Sequence, residues 1–481
     1  MPIANYQNPG VYVTQGPSPI VTAVSESALN ILFVGYSQNA PTNTFTDVYQ
    51  YTSTSGVQTF TLTQSGTITN GVLSNNVTGY VLVSGIDYSG FVTTSGVTTV
   101  TTISGSSNLV AGTTWVAANY TYTTVQPGTI YSFTDYNSAQ NLFGAPFTYT
   151  GATPTINSAC SLAAFLAFQN NAPLVSLVNI VSSGVAPGNP ADYLTFIQGL
   201  AGQEGIDVIV PLIYDTSYNS GPTGPLFKGI QLFLDAQANN GFFQRAFFGM
   251  DSSVTNLTSV CQYITGDTYD TRITLVAPNQ IIYNPGFNST TGLSTGTLNI
   301  DGIYLAAAVA GCFTGQPDVY VPITNKSING ISGIPNQVDV NTSNTLQSYG
   351  TTVVRQNRNG QLYVRQGLTT NTQNWVTQEL SINAIGDRLA NLFETNLSNS
   401  NLIGSPITPV TMGTIHSEVL AILTFAENRN IIQGYTGLTI QQNPNNLTEV
   451  DVTLQYSPTY SLNYIRVTIS INTSTGAISV V

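Results

Sequence analysis

The stretch Tyr304-Leu-Ala-Ala-Ala-Val-Ala-Gly311 opens the part of the sequence that decides the fold. Its small apolar residues predict a helix. Five further segments follow it: Pro322-Ile-Thr-Asn-Lys326, Ile328-Asn-Gly330, Leu346-Gln-Ser-Tyr-Gly350, Thr352-Val-Val-Arg355 and Leu362-Tyr-Val-Arg365-Gln-Gly-Leu-Thr-Thr370. The order and spacing of these segments together are more informative than any one of them.

Strand and helix patterns alternate in the region that precedes this stretch, from residue 174 to residue 313. Buried strands are predicted for the apolar runs at 174–180, 206–213, 245–250 and 272–277. Helix patterns lie between these runs, one of them at 226–239. Such alternation predicts βαβ units, and therefore a central α/β domain whose largely parallel sheet is covered by helices.

Capping residues mark the expected starts of three helices in and before this region. Asn157 or Ser158 can cap a helix that runs to residue 170, and Asn189 is followed by Pro190 at a first helical position. Asp251 and Ser252 can cap a helix that runs to residue 264. Capping and turn roles are therefore also the favoured interpretation of Asp215 and Asp251 themselves, in preference to metal binding or catalysis.

Residues 45–130 differ sharply in composition from the rest of the chain. They contain only two charged residues, Asp47 and Asp87, and are rich in Thr, Ser, Gly and Val. Short alternating runs separated by Ser-Gly, Asn-Gly and Thr-Gly turns predict an all-β sandwich or barrel. Disorder is the competing interpretation of such low complexity, but the β-branched and aromatic content argues against it.

Both ends of the chain carry strand patterns beyond proline-marked breaks. Val11-Tyr-Val-Thr-Gln15 alternates before Pro17, and Ile465, Val467, Ile469 and Ile471 alternate after Pro458. Strands this short need a sheet edge to join, either in their own domain or in another subunit. β-augmentation between subunits would use backbone hydrogen bonds for affinity and alternate side chains for register.

Composition limits the possible functions of the chain. Only 7% of its 481 residues are charged and the net charge is −12, with lysine only at Lys228 and Lys326. Nucleic-acid binding is not expected, because phosphates require clustered basic residues. A polar surface with few charges suits a protein whose faces are covered by neighbours. It would also suit a β-rich surface adhesin, although a central α/β block is unusual for that class.

Targeting and catalytic signals are not visible in the sequence. The N-terminus carries no signal-peptide pattern, and no apolar run reaches the length of a membrane span, so membrane insertion is not expected. Cys160, Cys261 and Cys312 lie far apart and are expected to be buried free thiols rather than a disulfide or zinc site. The single histidine, His416, lies in a helix pattern without a nucleophile motif. We therefore expect no enzyme, cofactor or metal.

The ordered segments from residue 304 to residue 370 resemble the C-terminal domain of contractile tail sheath proteins of bacteriophages and related injection machines. In that family a small-residue helix precedes a P-x-x-N-K-x-I-x-G segment, an L-x-x-x-G segment and a strand with an R-T-like motif, here loosened to Arg365-Gln-Gly-Leu-Thr. The early P-G-V-Y-V sequence is similar to the start of many sheath proteins. The family-motif positions are Asn325, Lys326, Gly330, Gly350, Arg355 and Arg365.

This resemblance implies a structural subunit that polymerises as stacked hexameric rings around a tail tube and contracts to drive the tube through the host envelope for genome delivery. The implied partners are other copies of the chain, the tail tube protein, and the baseplate and tail terminator proteins. The implied location is the virion tail, assembled in the host cytoplasm. The sheath of a phage-derived injection system is the alternative that the sequence leaves open.

The same resemblance gives the strand patterns at the ends a role as inter-subunit arms. The arm residues are Val11, Tyr12, Val13, Ile465, Val467, Ile469 and Ile471. The expected domains of this multidomain α+β chain are an N-terminal linking arm (1–24), a central α/β domain (25–44 and 131–313), an inserted all-β outer domain (45–130) and an α+β C-terminal domain (314–481), whose arm occupies about 460–481.

An amphipathic helix is expected between residues 373 and 398. Its apolar face carries Ile382, Ile385, Leu389, Leu392 and Phe393, and its charged residues off that face are Glu379, Asp387, Arg388 and Glu394. An ordinary core-facing helix and a helix whose charged side touches the tail tube are equally compatible with this pattern. A second helix is expected from residue 414 to residue 428, with Val419, Ile422 and Leu423 on one face.

Overall fold

The computed structural model describes residues 28–37, 42–53, 57–62, 68–75, 81–84, 86–94, 97–104, 106–111, 114–123, 125, 127–150, 153–180, 188–286, 296–400, 402–463, 469–471 and 478–480. Over these residues the protein is a mixed α+β chain with one large mixed sheet and several small antiparallel sheets. The general α+β class was predicted from the sequence.

The strands are numbered in chain order. Those in the first half of the chain are β1 (Asn30–Gly35), β2 (Thr42–Gln50), β3 (Thr59–Thr61), β4 (Ile68–Asn75), β5 (Tyr88–Thr94), β6 (Val97–Thr102), β7 (Trp115–Thr123), β8 (Ile130–Phe133), β9 (Phe147–Thr150), β10 (Thr153–Ile156), β11 (Leu174–Asn179) and β12 (Val208–Pro211). Those in the second half are β13 (Arg245–Phe248), β14 (Ile273–Ala277), β15 (Gln280–Tyr283), β16 (Leu298–Asp301), β17 (Ser327–Ile328), β18 (Thr351–Gln356), β19 (Leu362–Val364), β20 (Ile432–Gln442), β21 (Val450–Pro458), β22 (Ile469–Ile471) and β23 (Ile478–Val480).

The helices are numbered in the same way. They are α1 (Tyr136–Phe143), α2 (Ala159–Gln169), α3 (Pro190–Gln198), α4 (Pro225–Asn239), α5 (Leu257–Thr268), α6 (Ile303–Thr314), α7 (Val340–Ser348), α8 (Trp375–Gln378), α9 (Leu380–Asn399) and α10 (Pro409–Asn428). A short 3-10 helix occupies Thr216–Asn219.

The main sheet has nine strands in the order β17-β19-β18-β14-β13-β12-β1-β11-β8. The six strands from β18 to β11 are parallel to their neighbours. Antiparallel pairing occurs only towards the two edges, at β8 and at β17-β19-β18. The predicted parallel sheet is therefore confirmed, with antiparallel strands added at both margins.

Helices cover both faces of this sheet. Successive side chains of a strand point to opposite faces, yet Ile31, Leu32, Phe33 and Val34 of β1 are all fully buried. Helices α2 and α6 pack together and contact β1, while α3, α4 and α5 form a second packed series. The predicted strands could be recognised because strands buried on both faces are apolar along their whole length.

The small residues of α6 allow it to approach α2 closely. All twelve residues of α6 are buried, as the opening stretch of the sequence led us to expect of an apolar helix. A Cβ atom on Gly311 would lie 2.6 Å from the Cα of Ala167, and one on Gly315 would lie 2.6 Å from the carbonyl oxygen of Asn170. The backbones of the two helices are in direct contact there, so these glycines set the distance between the helices.

The helix starts confirm two of the three predicted caps. Ser158 caps α2 and Asn189 caps α3, each by accepting a hydrogen bond from a backbone N–H of the first turn. The third prediction is wrong, because α5 begins at Leu257 and is capped by Asn256. The Asp251 carboxylate instead accepts from the N–H of Ser253 at 2.9 Å and closes a turn. A turn and a cap share the same local residues, so the sequence did not separate them.

The composition-shifted segment after β1 forms two antiparallel three-stranded sheets, β2-β7-β4 and β3-β6-β5, and its described elements are all strands. Its apolar cluster, which includes Tyr51, Leu73 and Tyr120, is separate from the main core. Both charged side chains are buried: Asp47 accepts from the Tyr120 hydroxyl at 2.8 Å, and Asp87 from the Val83 N–H at 2.8 Å. The exposed side chains described in this segment are therefore all uncharged.

The sheet and its core extend across the predicted boundary between residues 313 and 314. Strands β18 and β19 belong to the main sheet, and Leu346, Val354 and Val364 belong to its apolar core. A separate cluster begins in α9, at Ile385, and extends to Leu454 in β21. The C-terminal packing unit described below consists of α9, α10, β20 and β21. Where the domains divide stays a prediction.

Candidate inter-subunit site

The C-terminal packing unit is built on the apolar faces of its two long helices. Every residue of the face predicted for α9, from Ile382 to Phe393, is buried, and so are Val419, Ile422 and Leu423 of α10. The second helix begins five residues earlier than predicted, at Pro409, because Thr408 caps it by accepting from the Thr411 N–H at 3.2 Å. These helices form a platform for the β20–β21 hairpin.

By length and composition, α10 is the one described helix that could cross a membrane. No membrane span was predicted from the sequence, because no uninterrupted apolar run reaches the required length. The helix packs Val419, Ile422 and Leu423 into the C-terminal packing unit and carries Glu418 and Glu427. These contacts bury the C-terminal half of one face of the helix, whereas Val410 near its start is exposed.

The hairpin lies with one side on this platform and the other in solvent. Strands β20 and β21 pair antiparallel from Ile432 opposite Pro458 to Gln442 opposite Val450. Leu454 is fully buried in the cluster, whereas the alternate residues Thr453 and Gln455 are exposed. The pairing shifts register twice along β20, as at β-bulges, which increase strand twist. The inward side of the hairpin is thus fixed by alternation.

Both outer edges of the hairpin are open within the described part of the chain. The sheet contains only β20 and β21, which are eleven and nine residues long. Each edge presents a row of backbone N–H and C=O groups that another strand can pair with. A two-stranded sheet is also only marginally stable without further strands or a packed helix. The arrangement is therefore suited to accept additional strands on either side.

Of the seven predicted arm residues, two lie among the residues that the structure describes. Val11, Tyr12, Val13, Ile465 and Val467 lie outside the described residues. Ile469 and Ile471 lie in β22, which pairs antiparallel with β23 through Ile469 opposite Val480 and Ile471 opposite Ile478. A strand is therefore confirmed at 469–471, and it forms a short hairpin with the last residues of the chain. Pairing between subunits stays a prediction.

The charged residues of α9 face the interior of the subunit. Asp387 is 5% exposed and binds two arginines: Arg245 of β13, and Arg272, which immediately precedes β14, with 3.2 Å between Nη2 of Arg272 and Oδ1. Burial lowers the pKa of the Arg245 guanidinium below its ordinary value, against the effect of Asp387. This cluster of Arg245, Arg272 and Asp387, the Asp387 ion cluster, attaches the C-terminal packing unit to the sheet.

The tube-facing interpretation of α9 needs correction for at least two of its four residues. Glu379 is 3% exposed and Asp387 is also buried, so neither side chain reaches an outer surface. Arg388 is half-buried, 4.0 Å from Asp318, and Glu394 is half-buried near Gly241. The core-facing alternative fits the helix, because the buried Asp387 carboxylate compensates the charges of Arg245 and Arg272.

The family-motif positions gather at the β17-β19-β18 edge of the main sheet. Asn325 adopts a positive φ of 63° and donates its N–H to the Val364 carbonyl at 2.7 Å, which starts the pairing of β17 with β19. Gly330 and Gly350 also have positive φ, and a Cβ on Gly350 would lie 2.4 Å from the Thr369 carbonyl oxygen. These three positions are explained by backbone geometry.

The three basic motif residues lie at the same edge. Lys326 accepts the Val364 N–H at its carbonyl oxygen, 2.9 Å away, and Arg355 pairs with Tyr363 across the strands. The Arg365 guanidinium donates to Asn344 of α7, and its backbone N–H donates to the Val353 carbonyl at 2.9 Å. The motif therefore builds this sheet margin.

The residues that were considered for catalysis or metal binding include an aspartate, the histidine and the three cysteines. The buried Asp215 carboxylate caps the 3-10 helix, as predicted, by accepting from the Ser217 N–H at 3.1 Å, and it also accepts from the Leu226 N–H in the first turn of α4 at 3.0 Å. His416 is exposed on α10. The three cysteines are buried, as predicted, and burial raises the pKa of Cys261 to about 12 and that of Cys312 to about 11. Among the described residues, no three His, Cys, Asp or Glu side chains are grouped as metal ligands would be.

Comparison with known proteins gives a similar sequence and several similar folds. No family model matches the chain. The tail sheath protein of Mycobacterium phage Bxz1 is 29% identical over 371 residues, which cover 76% of this chain and 60% of the relative. The chain thus spans less than two thirds of the length of the curated relative it matches.

Solved structures of contractile machines match the fold over nearly its whole length. The sixfold-symmetrised baseplate of the anti-feeding prophage contains a chain with a TM-score of 0.56 and 13% identity, covering 97% of this chain and 99% of that one. The contracted helical sheath of the same prophage gives 0.54 and 12%, covering 97% and 100%. The contracted PVC sheath complex of an extracellular contractile injection system gives 0.52 and 11%, covering 98% and 99%. The chain therefore has the fold of contractile sheath proteins, and its predicted resemblance to contractile tail sheath proteins is confirmed.

Proposed function

We propose that this protein is the structural subunit of a contractile phage tail sheath. The observation that carries the proposal is the match to contracted sheath structures over 97% or more of the chain, joined by sequence similarity to a phage tail sheath protein. The proposed partners are further copies of the chain in hexameric rings, the tail tube, the baseplate and the tail terminator. The proposed location is the virion tail after assembly in the host cytoplasm.

The sheath of a phage-derived injection system is the second candidate. The fold matches to the contracted sheaths of the anti-feeding prophage and of an extracellular contractile injection system favour it, at 12% and 11% identity. The phage assignment is preferred because the sequence similarity to the phage protein, at 29%, is much higher. Both candidates share one mechanism, and the content delivered through the tube distinguishes them.

Contraction of such a sheath requires two packings of the same subunits. The extended lattice is trapped at higher free energy, and a baseplate signal releases it into the lower state. New contacts between subunits supply the work, so the subunit itself needs no nucleotide and no catalytic centre. The clustering of motif residues at a sheet margin, rather than in a cleft, supports this non-enzymatic role.

The open hairpin is where we propose that neighbouring subunits connect. The strand pattern at Val11, Tyr12 and Val13 and the one at 465–471 would each add to an edge of the β20–β21 hairpin of another subunit. Its two unpaired edges support this proposal, since each edge can accept one added strand. Main-chain pairing at both edges would keep subunits connected while their domains rotate.

We also propose that residues 45–130 form an outer domain. Its separate apolar cluster and its lack of exposed charge in the described part support this division. A surface without charges is weakly hydrated and self-associates unless polar side chains cover it, and Thr, Ser and Asn supply that cover here.

Deleting either arm tests the proposed connection. A variant without residues 1–15 and a variant truncated after Asn463 should remain folded monomers by circular dichroism and size-exclusion chromatography, yet form no tubes in electron micrographs. Tubes of normal length from both variants would contradict the proposal.

A point substitution provides the matched control for the C-terminal arm. Val467→Pro removes one backbone donor from the strand, whereas Val467→Thr keeps the donor and the β-branched shape. Only the proline variant should lose assembly. Equal assembly of the two would show that this N–H joins no ladder between subunits.

A further inference from the structure

The segment that links β21 to the C-terminal arm is fixed to the body of the subunit. After Pro458, residues 459–463 contact first the residues before β20, then α8, and then the start of α9. Thr459 donates its N–H to the Ile431 carbonyl at 3.4 Å. The rings of Tyr460 and Trp375 lie 5.4 Å apart. The direction in which the arm leaves the subunit is thus determined by this short path.

A buried carboxylate lies at the centre of these contacts. Oε2 of Glu379 accepts from Nδ2 of Asn463 at 3.0 Å and from Nε2 of Gln366 at 3.0 Å. Oε1 lies 3.4 Å from the Ser381 hydroxyl and 3.5 Å from the Ser461 hydroxyl. One of these hydroxyls donates to the other at 2.9 Å, and the accepting one can donate to Oε1. The carboxylate therefore binds Gln366 of the body and Asn463 of the linking segment, and the paired hydroxyls of Ser381 and Ser461 join body and segment beside it.

The body holds Glu379 itself firmly. Glu379 lies at the junction between α8 and α9, where it forms a β-bridge with Leu368 and donates its N–H to the Trp375 carbonyl at 3.3 Å. The side chain has little freedom, because the residue is only 3% exposed. Any movement of the linking segment must therefore break its bonds to a stationary acceptor.

Burying this carboxylate has a cost that packing alone does not explain. Burial raises the pKa of Glu379 above its ordinary value, although hydrogen bonds from Gln366, Asn463 and the paired serine hydroxyls favour the ionised form. An apolar side chain at this junction would avoid the desolvation penalty. The carboxylate instead provides directional bonds that an apolar residue cannot make, which is the attested use of buried polar groups for specificity.

We propose that Glu379 is a positioning residue that holds the segment before the C-terminal arm through Ser461 and Asn463. These contacts, called the latch below, set the direction in which the arm reaches a neighbouring subunit. This inference rests on the proposed sheath function for the arm. The latch itself is a property of a single subunit. It can therefore be tested separately from assembly.

Trypsin cleavage gives a direct measure of the latch. Arg466 is the only Lys or Arg after Arg429, so cutting there removes residues 467–481 as one fragment. Cleavage follows the equilibrium fraction of opened segment when opening is fast. Asn463→Ala removes one charge-assisted hydrogen bond and should speed cleavage about tenfold or more. Glu379→Ala removes both contacts to the segment and should speed it at least as much.

Two variants serve as matched controls. Gln366→Ala removes a donor at the same 3.0 Å distance from the same oxygen, but from the body, so cleavage at Arg466 should change less than about twofold. Glu379→Gln keeps an acceptor for Asn463 and can donate to the serine hydroxyls, so it should restore the wild-type rate. A merely structural role for Glu379 would make Gln366→Ala and Asn463→Ala equal, and this result would overturn the latch.

Tube formation then tests the role of the latch in assembly. Glu379→Ala should give fewer or shorter tubes than the wild type in electron micrographs, and Glu379→Gln should form them normally. Faster cleavage with unchanged tubes would overturn the positioning role. A wild-type protein that forms no tubes under any condition would count against the proposed function instead, while the cleavage rates would still decide the latch.

Discussion

Replacing Asp387 with alanine should strongly destabilise the subunit. In the Asp387 ion cluster the carboxylate lies between Arg245 and Arg272, and the three side chains are 8%, 5% and 12% exposed. Arg245 also donates to the Thr271 carbonyl at 3.0 Å, which keeps its guanidinium in place after the substitution. Alanine therefore leaves two cations facing each other in a site that water scarcely reaches.

The expected magnitude follows from this geometry. Removing one partner of a buried ion pair costs about 3–5 kcal/mol, mostly because the remaining charge is uncompensated. Asp387→Ala leaves two buried cations without a counter-charge, so its loss of unfolding free energy should lie at the upper end of this range, about 5 kcal/mol. Asp387→Asn keeps an acceptor but loses the charge, and should cost about 2–3 kcal/mol. Replacing all three residues by Met, Met and Leu should recover much of the loss, because buried ionic clusters can be exchanged for apolar ones.

Urea unfolding followed by circular dichroism at neutral pH measures these differences in free energy. Asp192→Ala is the control, since its carboxylate is exposed in the first turn of α3; about 1 kcal/mol or less is expected. A loss below about 1 kcal/mol for Asp387→Ala would refute the argument that this cluster joins the C-terminal packing unit to the sheet. A triple replacement no more stable than Asp387→Ala would refute the attribution to stranded charge.

Three further predictions concern packing, the insert and the energy source. Gly311→Val should lower the free energy of unfolding by about 1–3 kcal/mol or more, because its Cβ would lie 2.6 Å from the Ala167 backbone. Gly266→Ala on α5, where no atom lies within 4 Å of the added Cβ, should instead raise it by about 0.5–1 kcal/mol. Urea unfolding measures both changes. Replacing residues 45–130 with a Gly/Ser linker should leave a folded subunit that forms tubes, and loss of the fold would show that the boundary is misplaced. Triggered contraction of particles should proceed in EDTA without ATP. A dependence of contraction on nucleotide or on metal would contradict the proposed non-enzymatic role.

The parts of the fold that the sequence predicted well are those decided by local patterns. Apolar runs identified β11 to β14, and small apolar residues identified α6. Strands and helices that are buried on all sides are apolar along their whole length, so composition alone reveals them. The caps at Ser158 and Asn189 were equally local. In each case a few neighbouring residues contain the whole signal.

Other features depend on contacts that are distant in sequence. Asp387 looked like a solvent-facing charge, and only the approach of Arg245, 142 residues away, shows why it is buried. Helix α7 has no apolar periodicity, and its start depends on Asp339, which accepts from the N–H groups of Asn341 and Thr342. Strand β20 contains two glycines and register shifts that hide its alternation. The open hairpin could therefore be recognised only in the structure.

Cryo-electron microscopy of assembled tubes tests the central claim most directly. We predict that the β20–β21 hairpin of each subunit gains two outer strands, one from the N-terminal segment around Val11 to Val13 and one from residues 465–471, both supplied by neighbouring subunits. The strands should persist in the extended and the contracted lattice. Finding both terminal strands paired only within their own subunit would contradict the claim.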